Sequence, residues 1–591
     1  MQRFPWIVFC SVDCWLFPLT VSRYPFPFTL TLLLVLTLPF ESIWSLLQLP
    51  WVQFTNLELL LAATAIAWGI YLARRQPGTI FTHLLRQHWS SLLPLLAFLA
   101  IALLSALLAP THAPDALKLF TRFANGAFAY LLAQTIAGKS DYVRQLLWAI
   151  VVGAGLSALV GLGEAAGWSW LNPLLQLFKR QPTYVGNTLR ISASFQYATI
   201  AAIFLEMAAA VALTLAATGS ARRRWLATAI ATLCTLVAVL TLTRAGIFSL
   251  ALIYLFLFLL TRRWHMLRPL RLPLLLSGAT LLVATLLLAF HSPEFRARLS
   301  QETDNAWYQA SYHVPAHIAL PAGQAAPVTI QVTNDSPVFW QASGPFPIRL
   351  RYRWLTADGQ SAFALPFGLH PLPHDLPPGE TIALTIPLQP PLPPGNYRLA
   401  WGLEHADRFW FHHRGVPDVE SAVTITAGNA GSPAAPPTQP RSDQTGTAAA
   451  ISRQQLWTAA CAMFRQRPLL GVGPGNFRHL YGSYLGLDQW DRGIHANSLY
   501  LELLADTGAL GLLSFTALLL IIGCQTIHFY RRLPASPPGD APLWAIGLSS
   551  AILIFLLHGF FDYFLEFVPT YLLFWLCLGF LSGITAPTTP T

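Results

Sequence analysis

Long apolar runs separated by short polar breaks cover most of the chain, from about residue 28 to 290 and again from about 498 to 584. A run of roughly 18 or more such residues crosses a hydrocarbon core of about 30 Å as a helix. The pattern predicts spans at 28–49, 56–73, 89–109, 116–137, 142–163, 194–217, 225–242, 245–261, 272–290, 498–525, 542–562 and 566–584. The stretch 225–260 needs a break, because one helix of that length is about 54 Å long. Thr243-Arg244-Ala245-Gly246 is the only polar, glycine-bearing place for it.

The pattern changes at 291–450. Residues 328–332, 348–354, 381–386, 397–401 and 422–426 alternate or are rich in β-branched and aromatic residues. Pro377-Pro378-Gly379 and Pro393-Pro394-Gly395 punctuate them as turns. This spacing predicts an immunoglobulin-like, all-β sandwich. The expected organisation is a membrane domain at 1–290 with about nine spans, then a connector at 291–311 and the β domain at 312–427. A flexible linker at 428–450, an amphipathic or re-entrant outer region at 451–497 and a three-span C-terminal domain at 498–591 complete it.

Composition agrees: 54% of residues are hydrophobic and 10% charged, against roughly 25% charged in soluble domains. The net charge of +10 does not point to nucleic acid, because the basic residues sit in alternate loops. One set holds Arg74, Arg75 and Arg86; Lys139 and Arg144; Arg222 to Arg224; Arg262, Arg263, Arg268 and Arg271; Arg531 and Arg532. Arg3 and Arg23 precede the first span. All lie on one side, which should be cytoplasmic, with both termini there and the β domain outside the cell membrane. Lys179, Arg180, Arg190 and Arg244 fall on the outer side. The N-terminal stretch lacks an alanine-type cleavage site, so a first span rather than a signal peptide is expected. None of the six cysteines lies in the β domain, which is therefore not expected to be disulfide-stapled, and Cys10 and Cys14 lack partners at metal spacing.

Polar groups near the membrane are costly unless they act. The richest stretch, 468–511, holds Gly471-Val472-Gly473-Pro474-Gly475-Asn476-Phe477, His495-Ala496-Asn497-Ser498 and Asp506-Thr507-Gly508. A glycine-rich turn offers backbone N–H groups to an anion, so Gly473 and Gly475 are candidates for substrate binding. No Gly-Lys-Ser/Thr follows, so it is not a Walker loop. The order GVGPGNF … HANSLYLELLADTGALGLLSF resembles the signature of the O-antigen ligase and Wzy polymerase superfamily. Arg190-Ile191-Ser192-Ala193-Ser194-Phe195 and Thr243-Arg244-Ala245-Gly246 are similar to its arginine-led stretches, and His558-Gly559-Phe560-Phe561-Asp562-Tyr563 also fits. The inserted β domain departs from the family, whose large outer loop is mainly helical.

The resemblance implies transfer of a glycan from a polyprenyl-diphosphate carrier to an acceptor hydroxyl, on a lipid or polysaccharide, at the outer membrane face. Arginine suits the diphosphate, since it stays charged and binds phosphate bidentately. Arg244 and Arg190 would carry the leaving-group charge. His495, titrating near neutrality, would take the acceptor's proton, and Asn497 would orient the sugar or the ring. No metal and no cofactor is expected.

Each residue also has a plainer reading. Arg244 could snorkel from a helix end, and Arg190 could meet lipid phosphate. Asn497 could cap the next helix. Glu502 and Asp506, four apart on one face, could pair with a base inside the bundle. Gly508 and Gly511 could allow close packing. His405, His412 and His413 read better as a strand end than as a metal site. A chain polymerase of the same superfamily and a non-enzymatic transporter of lipid-linked sugar are the competing functions.

Overall fold

The fold is that of a computed structural model describing residues 25–586, apart from 49–52, 75–76, 181, 186–187, 301–306, 345, 358–366, 391–392, 407–408, 415, 427–450, 488–489 and 535–538. The expectations for Arg3, Arg23, Cys10, Cys14, Arg75, the side chain of Arg86 and the linker 428–450 lie outside the described residues. The helices are α1 (Phe26–Thr37), α2 (Asn56–Arg74), α3 (Pro77–Leu107), α4 (Ala113–Ala137), α5 (Ser140–Ala165), α6 (Asn172–Leu175), α7 (Ala198–Ala216) and α8 (Ala221–Leu240). They continue with α9 (Arg244–Arg263), α10 (Arg271–His291), α11 (Pro293–Ser300), α12 (Arg453–Gln466), α13 (Phe477–Tyr484), α14 (Leu499–Arg532), α15 (Ala541–His558) and α16 (Val568–Thr585).

The protein is mostly helical, and among the described residues 10 helices are long and apolar enough to cross a membrane. Twelve were expected, and α1 and α4 account for the difference. Helix α1 stops at Thr37 after 12 residues, just before Pro39, which cannot continue it. The chain beyond forms a small hairpin of β1 (Leu47–Gln48) and β2 (Gln53–Phe54) instead of a second half-span. Helix α4 has 25 residues, but Asp115, Lys118 and Arg122 occupy its first turns. The break between α8 and α9 falls where the pattern required it, with Leu242 at φ 56°. Helix α14 is two helices joined at a kink, where Gly508 interrupts it at φ 68°, ψ −170°. Helix α7, apolar on all sides apart from Glu206 and two threonines, is buried along nearly its whole length at the centre of the bundle.

A short hairpin joins β3 (Thr183–Val185) to β4 (Thr188–Arg190). The β region comprises β5 (Ala310–His313), β6 (His317–Pro321), β7 (Ala326–Asn334), β8 (Ile348–Thr356), β9 (Phe367–Pro371), β10 (Thr381–Leu388), β11 (Gly395–His405), β12 (Phe409–Trp410) and β13 (Val419–Thr426). The five stretches read as strands are β7, β8, β10, β11 and β13. One sheet runs β10-β7-β5 and the other β6-β13-β11-β8-β9, with β12 on β11. Alternate residues point inward: Val328, Ile330 and Val332 from β7 and Ile382, Leu384 and Ile386 from β10 meet Trp354, Leu399, Trp401 and Val423 from the other sheet in one core.

One end of the helical bundle gathers the site loops. Ser194 Oγ donates to Pro39 O at 2.6 Å, Arg190 Nε to Thr241 O at 3.0 Å and Arg467 Nη1 to Leu108 O at 3.2 Å. Asn476 Nδ2 donates to Thr111 O at 2.9 Å, and Leu499 N to Gly559 O at 2.7 Å. Loops far apart in sequence thus share one face.

Candidate functional site

His495 lies in the loop that leads into α14. Ser498 caps that helix, accepting from Leu501 N at 3.5 Å, so the cap is Ser498 and not Asn497. Asn497 instead takes the left-handed conformation, φ 49°, which turns the chain back on itself. The turn folds His495 over the first turn of α14, where Glu502 waits. His495 Nδ1 meets Glu502 Oε1 at 2.5 Å, and Ala496 N donates to Glu502 Oε2 at 2.8 Å. On the other side His495 Nε2 lies 2.8 Å from Glu566 Oε2, on the loop between α15 and α16. Glu566 Oε1 in turn receives Arg478 Nη1 at 2.6 Å and Arg122 Nη1 at 3.3 Å. The Tyr563 ring packs 5.2 Å from the imidazole.

Burial favours a neutral His495, but the Glu502 and Glu566 carboxylates outweigh it and push the imidazole up to about 10. The expectation of a ring titrating near neutrality is therefore corrected: His495 rests as a cation with both nitrogens donating, and so is not a free base. Burial alone would raise the Glu566 carboxyl. The hydrogen bond and charge of His495, with Arg478 and Arg122, hold it far below the usual carboxylate range. The cluster is graded in exposure: Glu502 is fully buried, Glu566 is 16% exposed, Arg478 28% and Arg122 32%. Its arginine side faces out.

The glycine turn behaves differently from its sequence reading. Gly471, Gly473 and Gly475 have φ of 67°, 109° and 75°, which an L side chain rarely adopts. Their amides face inward. Gly475 N donates to Asp506 Oδ2 at 2.6 Å, Phe477 N to Asp506 Oδ1 at 3.1 Å and Gly473 N to Asp506 O at 2.9 Å. The group in this cradle is the protein's own Asp506 carboxyl, since a buried carboxyl must find donors. Gly473 and Gly475 therefore do not offer these N–H groups to a substrate. They wrap α14 and set α13, and with it Arg478, against Glu566.

Arg190 and Arg244 share another turn at the same end. Arg190 Nε donates to Thr241 O at 3.0 Å and Nη2 to Thr243 Oγ1 at 3.2 Å; Arg244 Nη1 donates to Arg298 O. Glu164, buried in an ion pair with Lys179, accepts from Ser192 N at 3.2 Å and Ala193 N at 2.8 Å, which anchors the stretch after Arg190. A Cβ on Gly246 would lie 2.0 Å from Glu206 Oε1. Glu206 Oε2 is 3.2 Å from His558 Nδ1, and His558 Nε2 is 3.5 Å from Asp562. Glu206, His558 and Asp562 thus form a short polar chain that joins α7 to the end of α15 beneath Gly246.

The arginines in contact with the His495 cluster are Arg122 and Arg478, which the sequence reading did not single out. Arg478 had one signal, its place directly after the glycine turn; Arg122, on α4, had none. The Asn497 side chain has no hydrogen-bond partner among the described residues. No group of three or more His, Cys, Asp or Glu able to hold a metal occurs among them either, and His405 is buried against Tyr308.

Residues 415–516 match the O-antigen ligase family (Wzy_C). The matched segment includes the glycine turn, His495, Glu502, Asp506 and the Gly508 break; Arg122, Arg190, Arg244 and Glu566 lie outside it. No curated protein matches the chain. Among solved structures, the di-metal-bound CARDB domain of a Pyrococcus furiosus protein is similar at 14% identity, covering 20% of this chain and 86% of its own, with a TM-score of 0.14. The Pseudomonas fluorescens alkylpurine DNA glycosylase AlkC, bound to DNA with an abasic site analogue, is similar at 12% identity over 51% of this chain and 77% of its own, also with a TM-score of 0.14. At that level neither speaks to the fold or the chemistry of this chain.

Proposed function

We propose, on the premise that residues 415–516 form an O-antigen ligase domain in a multi-pass membrane protein, that the chain is a glycosyltransferase. It moves a glycan from a polyprenyl-diphosphate carrier to an acceptor hydroxyl at the outer face of the cytoplasmic membrane. The observation that carries this reading is the seat of His495: the family segment delivers it into a cluster of carboxylates and guanidinium groups at the loop-rich end of the bundle. Guanidinium groups at a lipid surface suit a diphosphate leaving group, whose charge grows as the glycosidic bond breaks. His495 acts as a fixed, proton-bearing cation, and Asn497 offers an amide to the sugar. Arg244 and Arg190, on the neighbouring turn, add guanidinium charge for the diphosphate. A metal is not required, because the arginines supply the positive charge.

Both termini are cytoplasmic and the β region is an extracytoplasmic, immunoglobulin-like domain that docks the acceptor or a wall polymer. A reporter fused within 428–450 is expected to be active only outside the cytoplasm; cytoplasmic activity overturns this topology. Ligation and chain polymerisation use the same donor and the same surface, so the acceptor alone distinguishes them. A transporter of lipid-linked sugar releases no polyprenyl diphosphate. Purified protein given a polyprenyl-diphosphate glycan and acceptor is expected to release it, and Arg244→Ala to slow the release by roughly 10²–10³-fold, as for loss of one charge-stabilising donor. Unchanged release by Arg244→Ala, at equal protein amount, removes that arginine from the mechanism.

A further inference from the structure

Three cations share one carboxylate at the mouth of the site. Glu566 Oε1 carries Arg478 at 2.6 Å and Arg122 at 3.3 Å, while Oε2 carries His495 at 2.8 Å. The other carboxylate on the imidazole, Glu502, is fully buried, and its two oxygens are taken by His495 and Ala496 N. Of the two, only Glu566 lies where an acceptor hydroxyl can reach. Its arginines are the more exposed members of the cluster, so an anion arriving from the lipid or water side meets them before it meets Glu566.

We propose that Glu566 takes the proton of the acceptor hydroxyl, and that the donor's diphosphate readies it by drawing Arg122 and Arg478 off its carboxylate. This rests on the glycosyltransferase reading above. At rest the carboxylate is saturated by three positive partners and is a poor base. A diphosphate carries more charge than a carboxylate and presents oxygens that suit the guanidinium fork, so it competes well for both arginines. Once they turn to it, Glu566 keeps only His495, and its affinity for a proton rises. His495, held from behind by Glu502, then aims the carboxylate through Oε2. The base is armed only when the donor is bound, which limits transfer to water or to a stray hydroxyl in the empty site.

The step balances. The acceptor's O–H proton passes to Glu566 Oε1, and the acceptor oxygen forms the new bond to the anomeric carbon. The bond from that carbon to the diphosphate oxygen breaks, its electron pair leaving on the diphosphate, where Arg122 and Arg478 carry the charge. When polyprenyl diphosphate departs, the arginines return and Glu566 gives its proton to water.

The test uses the full chain in lipid nanodiscs, with inorganic pyrophosphate as the probe for the anion site and a polyprenyl-diphosphate glycan as donor. Glu566→Gln is expected to lower transfer by about 100-fold or more, while pyrophosphate binds as tightly as in the wild type or tighter, because the arginines are no longer held. Glu566→Asp, which keeps the carboxylate, is expected to fall between the two in transfer. The double variant Arg122→Gln, Arg478→Gln is expected to weaken pyrophosphate binding at least about tenfold, as for lost charge-assisted bonds. Wild-type transfer in Glu566→Gln overturns the inference and leaves the glycosyltransferase reading standing. So does a Glu566→Gln protein that loses pyrophosphate binding along with transfer, which marks the residue as a builder of the site only. A wild type that binds pyrophosphate through these arginines yet transfers nothing overturns the transferase reading, and the base role with it.

Discussion

Alanine at position 495 is expected to lower glycan transfer by roughly 10²–10⁴-fold, the range for removing a residue that positions or moves a proton in the reaction. His495 bridges Glu502 and Glu566, one on each ring nitrogen. Without the imidazolium, the two carboxylates face each other with no cation between them, and the outer one swings toward Arg122 and Arg478. The acceptor-facing oxygen then loses its orientation. The comparison is of transfer rate per inserted protein, with membrane levels measured in parallel; a rate within a few-fold of the wild type rejects the assignment. A second readout follows from linkage. His495 is raised from 6.5 to about 10 in the folded protein. Its contribution to stability is therefore fully present below about pH 6.5 and is lost as pH rises toward 10. Wild-type thermal stability is expected to fall across that interval, and the fall to be shallower in His495→Ala. Tyr563, Glu502 and Glu566 also face the ring, and all three are common to both proteins.

Gly508→Ala is expected to be the most damaging single methyl in α14. The residue sits at φ 68°, where a side chain is strained, and a Cβ there would lie 2.3 Å from the backbone carbon and oxygen of Leu469. Backbone atoms cannot step aside as a flexible side chain does. Strain in this backbone region, which essentially only glycine enters, of roughly 1–3 kcal/mol adds to an overpacking cost of roughly 1–3 kcal/mol. The same contact holds the glycine turn, since Ala509 N donates to Pro468 O at 2.8 Å and Val472 N to Ala505 O at 2.9 Å. Loss of stability and loss of transfer should therefore arrive together. Gly523→Ala, in the same helix with nothing within 4 Å of a new Cβ, is the control and should be nearly silent. Thermal unfolding of the purified variants decides it: equal midpoints for the two substitutions would mean that Leu469 does not press on Gly508.

Period and length made the membrane body legible. Apolar runs of spanning length can hide their backbone only as helices, and the break at 241–243 followed from a run too long to cross once. The misjudged spans have local causes. The run at 28–49 contained Pro39, and hydropathy averages over a proline that ends a helix. At α4, the charges near its start sit among residues that otherwise look apolar. The break at Gly508 carries no hydropathy signal, because one residue's φ does not alter a periodic pattern. Five strands of the β region were visible through alternation, but β5, β6, β9 and β12 were not, for each is too short to show a period.

The candidate site divides along the same line. Residue type and local order singled out His495, Arg190 and Arg244, because an imidazole and arginines beside membrane-spanning runs are chemically unusual wherever the chain goes. Partnership was not legible. Glu566 lies 71 positions after His495 and Arg122 lies 444 before Glu566, as the numbering itself counts. Nothing in either neighbourhood announces a shared carboxylate. The glycine turn shows the limit most directly: its spacing encoded a cradle of amides, but not that Asp506 fills it. Order along the chain determines which backbone shapes and which chemical groups exist. Packing of the helix ends determines which charges meet, and at this depth that meeting decides whether an imidazole rests neutral or charged.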